Sequence, residues 1–362
     1  MKNCGGSLFR VNVNAQTKTS PSLHRFAVLT AFVTFLLIGL GGLVTSHDAG
    51  MSVPDWPNSY GYNMFLFPVS KWVGSIFYEH THRLLASAVG LLTTILAVWL
   101  RLKDSRQWMH WLGVAAFLGV VAQGILGGLR VTLHMNSLGV FHATIAQMFF
   151  ILMCAIALFT GRFWNELVKD KKTFPVSRNL RNIALATTLL IFAQLIVAAM
   201  MRHQHAGLAI PDFPLAYGKI WPDTSANAIV HYNAQRISVT EEAPVTMFQI
   251  VLQMIHRIVA LTILIFVAAC ARLAWRRLGR KDLLTKLAVS WLALIFSQIA
   301  LGAATIWSNK AADVATAHVM VGALSLVTGA LWCIIAFGRS ELLAEIKSPA
   351  VFGAQPAMAT GK

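Results

Sequence analysis

Glu79-His80-Thr81-His82-Arg83 enters an apolar run that continues through Leu84, Leu85, Val89, Leu91, Leu92, Ile95 and Leu100. Charged and ionisable groups at the mouth of a membrane helix are costly, so they mark a functional site. Glu79 and His82 stand three positions apart, which puts them on one helical face with about 5–6 Å between their Cβ atoms. The spacing predicts a carboxylate beside an imidazole. Two questions follow: what partners that imidazole, and whether the arrangement occurs twice.

Composition sets the class. Of the 362 residues, 56% are hydrophobic and only 12% charged, against about 25% charged in an ordinary soluble domain. With a mean hydropathy of +0.62, the chain reads as an all-α integral membrane protein. Stretches near the roughly 20 residues that span a bilayer fall at 25–46, 79–100, 108–132, 137–160, 182–201, 247–271, 286–307 and 314–338. This predicts eight transmembrane helices.

The net charge of +16 would suit a nucleic-acid binder, but the basic residues are sided. Of the 30 Lys and Arg, 22 fall before and at the start of the first span, in 101–107, 161–181 and 272–286, and after 338; only 5 fall in the alternate connections. That bias places both termini in the cytoplasm and makes the lipid bilayer, not nucleic acid, the partner of the charge. The first 24 residues are polar and weakly basic. The run after them is too long for a signal-peptide core and lacks a clear cleavage site, so it stays as the first helix. A transit peptide, and with it the mitochondrial inner membrane, is the competing reading; few arginines and no amphipathic pattern favour a bacterial inner membrane. Cys4, Cys154, Cys270 and Cys333 are scattered without a CxxC spacing, and read as packing residues.

The chain repeats itself. Ala49-Gly50-Met51-Ser52-Val53-Pro54-Asp55-Trp56-Pro57 reappears as Ala206-Gly207-Leu208-Ala209-Ile210-Pro211-Asp212-Phe213-Pro214. His82-Arg83-Leu84-Leu85-Ala86 returns as His256-Arg257-Ile258-Val259-Ala260, 174 positions later; Gln123 and Leu126-Gly127 match Gln298 and Leu301-Gly302 at 175, and His142 matches His318 at 176. The expected architecture is two parallel-repeat four-helix bundles, 25–160 and 182–338, related by an axis along the membrane normal. A cytoplasmic tail (1–24), a linker (161–181) and a second tail (339–362) complete it. The Pro-Asp-aromatic-Pro stretches cannot continue a helix and suit a cap over each half at headgroup level.

Each half then holds one histidine near the outer end of its second helix, His82 or His256, and one a few residues into its fourth, His142 or His318. All four fall at similar depth. Two imidazoles without cysteine or carboxylate companions are too few for a closed zinc site, whereas a planar macrocycle gripped between helices needs two axial imidazoles. The preferred reading is two haems, one per half. A di-iron carboxylate site would need a second Glu-x-x-His, and the repeat of Glu79 is Gln253. That asymmetry suggests chemistry in the first half and an electron-carrying haem in the second. The competing reading pairs Glu79 with Arg83 at i+4 as a structural ion pair, exposed or half-exposed.

With Gly139-Val140-Phe141-His142, Gln253-Met254-Ile255-His256-Arg257 and Ala317-His318, the chain from about 25 to 338 resembles the haem A synthase family. The resemblance implies an oxidoreductase that converts a methyl group of haem O to a formyl group, giving haem A for cytochrome oxidase. It implies haem b on His256 and His318, substrate haem O bordered by His82 and His142, and Glu79 essential for turnover. Haem O synthase and a second copy of the chain are candidate partners; the electron donor stays open. Some members carry a cysteine pair in the first outer loop, and residues 47–78 contain none, which puts a loop-thiol mechanism in doubt. Methyl to formyl removes four electrons, so two oxidations through an alcohol are the natural path. Whether a substrate-site histidine leaves the iron, or oxygen reacts elsewhere, stays open. A bis-histidyl cytochrome that only passes electrons, for example from quinol, is the alternative, and a haem carrier is the third reading.

Overall fold

The computed structural model describes residues 20–169, 176–236 and 244–347. Among them are ten α-helices: α1 (Pro21–Ser46), α2 (Gly74–Lys103), α3 (Gln107–Thr132), α4 (Asn136–Thr160), α5 (Arg162–Lys169), α6 (Arg178–His203), α7 (Ala226–Ala234), α8 (Met247–Leu278), α9 (Leu283–Trp307) and α10 (Ala312–Lys347). All but α5 and α7 are long and apolar enough to cross a membrane. These eight coincide with the stretches expected from hydropathy. Cys4 and most of both tails lie outside the described residues.

Local chemistry sets the boundaries. Ser20 caps α1 by accepting the Leu23 N–H at 3.4 Å, with Pro21 opening the helix, where a missing N–H costs nothing. Thr246 and Gln249 form a reciprocal capping box at the start of α8. Asp282 caps α9 through the Leu284 N–H at 2.8 Å and reaches Arg339 of α10 at 2.9 Å, which ties the start of α9 to the far end of α10. The second span begins earlier than hydropathy indicates. Gly74 takes a φ of +53°, a conformation open to glycine, and α2 starts there, so Glu79 and His80 lie in its second turn and are buried. The helices α5 and α7 carry no membrane-length apolar signal and were not expected.

Within residues 21–160, α1 packs on α2 and α4, and α3 packs on α2 and α4; within 178–347, α6 packs on α8 and α10, and α9 packs on α8 and α10. Leu23, Ala27, Val89, Leu96, Met109, Phe149 and Met153 fill the first group. Leu180, Ala184, Cys270, Ala274, Leu284, Ala288 and Trp332 fill much of the second. The seam between the groups runs where α1 meets α10 and α4 meets α6 and α10. Small residues make it close: a Cβ on Gly39 would meet Met320 Sδ at 2.8 Å, and one on Gly42 would meet Thr316 Cγ2 at 3.0 Å. Close backbone approach is how membrane helices gain contact when lipid is as apolar as their side chains. Arg202 of α6 crosses the seam to donate to the Gly42 carbonyl at 2.9 Å and to Ser46 Oγ at 2.7 Å. Outward faces, among them Phe32, Leu91, Val98, Leu118, Ile265 and Phe296, stay exposed, as a lipid-facing surface requires.

Candidate functional site

The site is built from the two outer loops and the helices that follow them. In the first loop, Asp55 accepts the N–H groups of Tyr60 (2.7 Å) and Gly61 (2.8 Å), the Tyr60 hydroxyl bonds the Ser52 carbonyl, and Ser59 pairs with Tyr62 through backbone bonds. In the second, Asp212 accepts from Tyr217 (2.7 Å) and Gly218 (2.8 Å), the Tyr217 hydroxyl bonds the Ala209 carbonyl, and Ala216 pairs with Lys219. Burial favours the protonated form of Asp55, but the Gly61 and Tyr60 amides and the Arg83 charge outweigh it and hold the carboxyl below its ordinary value. Two sequence copies thus fold into the same knot.

Each knot is fastened to the helix after it by the arginine that follows the histidine. Arg83 donates to the carbonyls of Asp55 (2.6 Å), Asn58 (3.0 Å) and Val53 (2.7 Å); Arg257 donates to those of Asp212 and Leu215, both at 2.7 Å. One turn earlier a carbonyl-type oxygen closes the clasp. The Val53 N–H donates to Glu79 Oε2 at 2.8 Å, and the Ile210 N–H donates to Gln253 Oε1 at 2.7 Å. Trp56 lies over the end of α3, where a Cβ on Gly128 would sit 2.4 Å from its indole.

Glu79 and Arg83 do form an ion pair, at 2.8 Å, but not the exposed or half-exposed one considered from the sequence: both side chains are below 10% exposed. Nor does the carboxylate bond to His82. Its oxygens point to the loop and Arg83, while His82 Nδ1 has no hydrogen-bond partner among the described residues. The i,i+3 spacing fixes the shared helical face, and the loop amide then draws the carboxylate away from the ring. His80, assigned no role from the sequence, is fully buried, 3.2 Å from Ser59 Oγ and against the rings of Phe67 and Trp72. It anchors the first loop; its equivalent, Met254, is an apolar core residue.

The four candidate ligand histidines share one environment. In His82, His142, His256 and His318, Nδ1 is buried and without a hydrogen-bond partner among the described residues. Three of these rings lie edge-on against a glycine of the adjacent helix: a Cβ on Gly41, Gly127 or Gly302 would meet Cε1 of His82, His142 or His318 at 3.2–3.4 Å. Gln123 donates to the His142 carbonyl at 3.2 Å, and its copy Gln298 lies 3.4 Å from His318 Nε2. Gln194 donates to the His256 carbonyl at 2.7 Å.

The ring centroids of His256 and His318 are 6.4 Å apart. An imidazole centroid lies roughly 1.1 Å behind its ligating nitrogen and a metal–imidazole bond is about 2.0 Å, so two rings on opposite sides of one metal have centroids about 6.2 Å apart. The pair fits two axial ligands of a single iron. His82 and His142 are close enough to interact electrostatically, but they form no such ring contact among the described residues. No group of three or more His, Cys, Asp or Glu that could hold a metal ion occurs among the described residues. Cys154, Cys270 and Cys333 are free thiols at intermediate or buried positions.

Residues 62–330 match the family model described as cytochrome oxidase assembly protein. The chain belongs to that family. Similar curated proteins are the heme A synthases of Alkalihalophilus pseudofirmus (24% identity over 85% of this chain and 95% of that one), Geobacillus kaustophilus (25%, covering 94% and 99%) and Rhizorhabdus wittichii (25%, covering 86% and 92%). The match takes in every candidate site residue from Glu79 to His318.

Sequence reasoning missed the arginine clasp, His80 and one further group, Arg130. The repeat held a signal for the first: an arginine follows the histidine, and a Pro-Asp-aromatic-Pro loop precedes it, in both halves. Arg130 was visible only as a break in the repeat, because its equivalent is Thr305.

Proposed function

We propose that the chain is a haem A synthase, an oxidoreductase that turns a methyl group of haem O into a formyl group in two oxidations through the alcohol. The observation that carries this reading is that two matched clasps differ in charge, Glu79 against Gln253, in a chain of this family. An electron carrier gains nothing from that difference; an oxidising site does.

In this reading the two halves are parallel repeats with divided labour. His256 and His318 hold haem b, supported by their 6.4 Å centroid separation, and the haem supplies one-electron transfer at that position. His82 and His142 border the substrate haem O. Glu79, held by Arg83 and the Val53 amide, is the carboxylate that the first half would offer to the substrate. There it accepts a proton from the hydroxymethyl stage or stabilises positive charge. Arg83 pairs with Glu79 and fixes the loop over it. The protein resides in a bacterial inner membrane with both termini cytoplasmic, supported by the sided basic residues.

The test is pigment extraction after co-expression with a source of haem O. Haem A in the extract supports the reading. An extract with haem b and unchanged haem O would leave the bis-histidyl cytochrome as the better account.

A further inference from the structure

Arg130 sits in the last turn of α3 and is the one guanidinium around the first histidine pair that the clasp does not use. Its Nε is buried without a partner, and no hydrogen bond or ion pair of its side chain occurs among the described residues. The two terminal nitrogens of its fork face Gly50 of the first loop, where a Cβ would be 2.8 Å from each. It is within electrostatic reach of Glu79, His82 and His142. Among the described residues Glu79 is the carboxylate within reach of it, and both Glu79 oxygens already accept from Val53 and Arg83. A guanidinium at a helix end inside a membrane protein is costly without a counter-charge. The site is therefore short of one anion.

Depth indicates which. His142 lies six residues into α4 and Arg130 two residues from the outer end of α3, so at 1.5 Å per residue the Arg130 backbone lies about 6 Å nearer its helix end than that of His142. A haem between His82 and His142 has two carboxylates on one edge, and that edge belongs toward the outer, polar end of the bundle. The second half has Thr305 at the equivalent position, with its hydroxyl spent on the Leu301 carbonyl at 2.8 Å. The charge is therefore peculiar to the half assigned to substrate.

We propose that Arg130 is a substrate-binding residue whose guanidinium fork takes a propionate carboxylate of the haem in the first half and so fixes which edge of the macrocycle faces Glu79. The inference rests on the substrate reading above. Arginine suits the task because its planar fork matches a carboxylate in bidentate fashion.

The test compares haem O with its dimethyl ester, titrated into the detergent-purified chain and followed by the Soret band. The unmodified chain should bind the free acid about 10- to 100-fold more tightly than the ester, the range for a charge-assisted hydrogen bond. Arg130→Gln should bind the acid that much more weakly, the ester almost unchanged, and so lose the discrimination. The low-spin haem signal of the second half reports that the variant is folded. Arg130→Lys, which keeps charge without the fork, should retain a few-fold preference and serves if the Gln variant does not accumulate. Equal binding of acid and ester by the unmodified chain would overturn the proposal, and is the outcome if Arg130 instead meets a lipid phosphate. Undiminished discrimination in Arg130→Gln would overturn it too. Failure of both forms to bind the unmodified chain would sink the substrate reading itself.

Discussion

The loop at 49–62 and the loop at 206–219 are knotted by the same aspartate, the same tyrosine and the same arginine-to-carbonyl clasp, yet one clasp closes on a carboxylate and the other on an amide. The amide does all that the backbone asks. Gln253 accepts the Ile210 N–H, and its Nε2 donates to the Gly207 carbonyl at 3.3 Å. A charge is therefore not needed to hold the loop, and Glu79 has it for another reason. Arg130 against Thr305 is a second difference of the same kind, in the same half.

The hardest blow to this comparison would come from Glu79→Gln. It installs the residue the other clasp already uses, so the Val53 amide keeps its acceptor, the variant accumulates and both haem sites fill. Haem A in extracts should fall to a few per cent or less, with haem O or the alcohol building up. Near-normal haem A from this variant would break the link between charge and chemistry.

Next in size is the division between the histidine pairs. Alanine at His256 or His318 should remove most of the low-spin haem absorbance of the purified protein, whereas His82→Ala should leave much of it. Equal loss from all four substitutions would show that the halves do not differ in what they hold.

The arginines sharpen the comparison further. Arg83→Ala strands a buried carboxylate, which costs about 3–5 kcal/mol; Arg257→Ala leaves only carbonyls short of a donor, about 1–3 kcal/mol. Melting curves in detergent should rank Arg83→Ala clearly below Arg257→Ala. The reverse order would mean that the Glu79–Arg83 pair adds nothing beyond the carbonyl clasp.

How much of this was legible in the sequence follows from the range of the interactions. The eight spans could be read because about 20 apolar residues is a local requirement. The four histidines and Glu79 stood out as candidates because the chain states the pattern twice and changes Glu79 to Gln253 in the second copy. The direction of the Glu79 carboxylate could not, since it depends on where the Val53 N–H arrives from a loop 26 residues away. His80 likewise looked no different from its neighbour His82. Only the fold puts one between Phe67 and Trp72 and the other against Gly41.

The smallest expected effect concerns the first knot. The Asp55 carboxyl lies below its ordinary value of 3.8 when folded, so its contribution is present above that value and is lost as pH falls through the lower folded one. Amide protection at Tyr60 and Gly61, corrected for the intrinsic pH dependence of exchange, should hold above 3.8 and fall as pH drops through the lower folded value, and Asp55→Asn should flatten that dependence. An unchanged profile in the variant would assign the protection to the Tyr60 hydroxyl bond instead.

The seam between α1 and α10 bears on kinship between the halves. Gly39 receives the thioether of Met320, and Gly42 the methyl of Thr316, but the matching contact of α6 with α4 sets His203 over Gly139. Bulk and hollow have changed sides. A second copy of residues 21–160 in place of 178–347 would offer Gly139 to α1 where Met320 and Thr316 now fill Gly39 and Gly42, so these contacts work as a key that selects which helices meet.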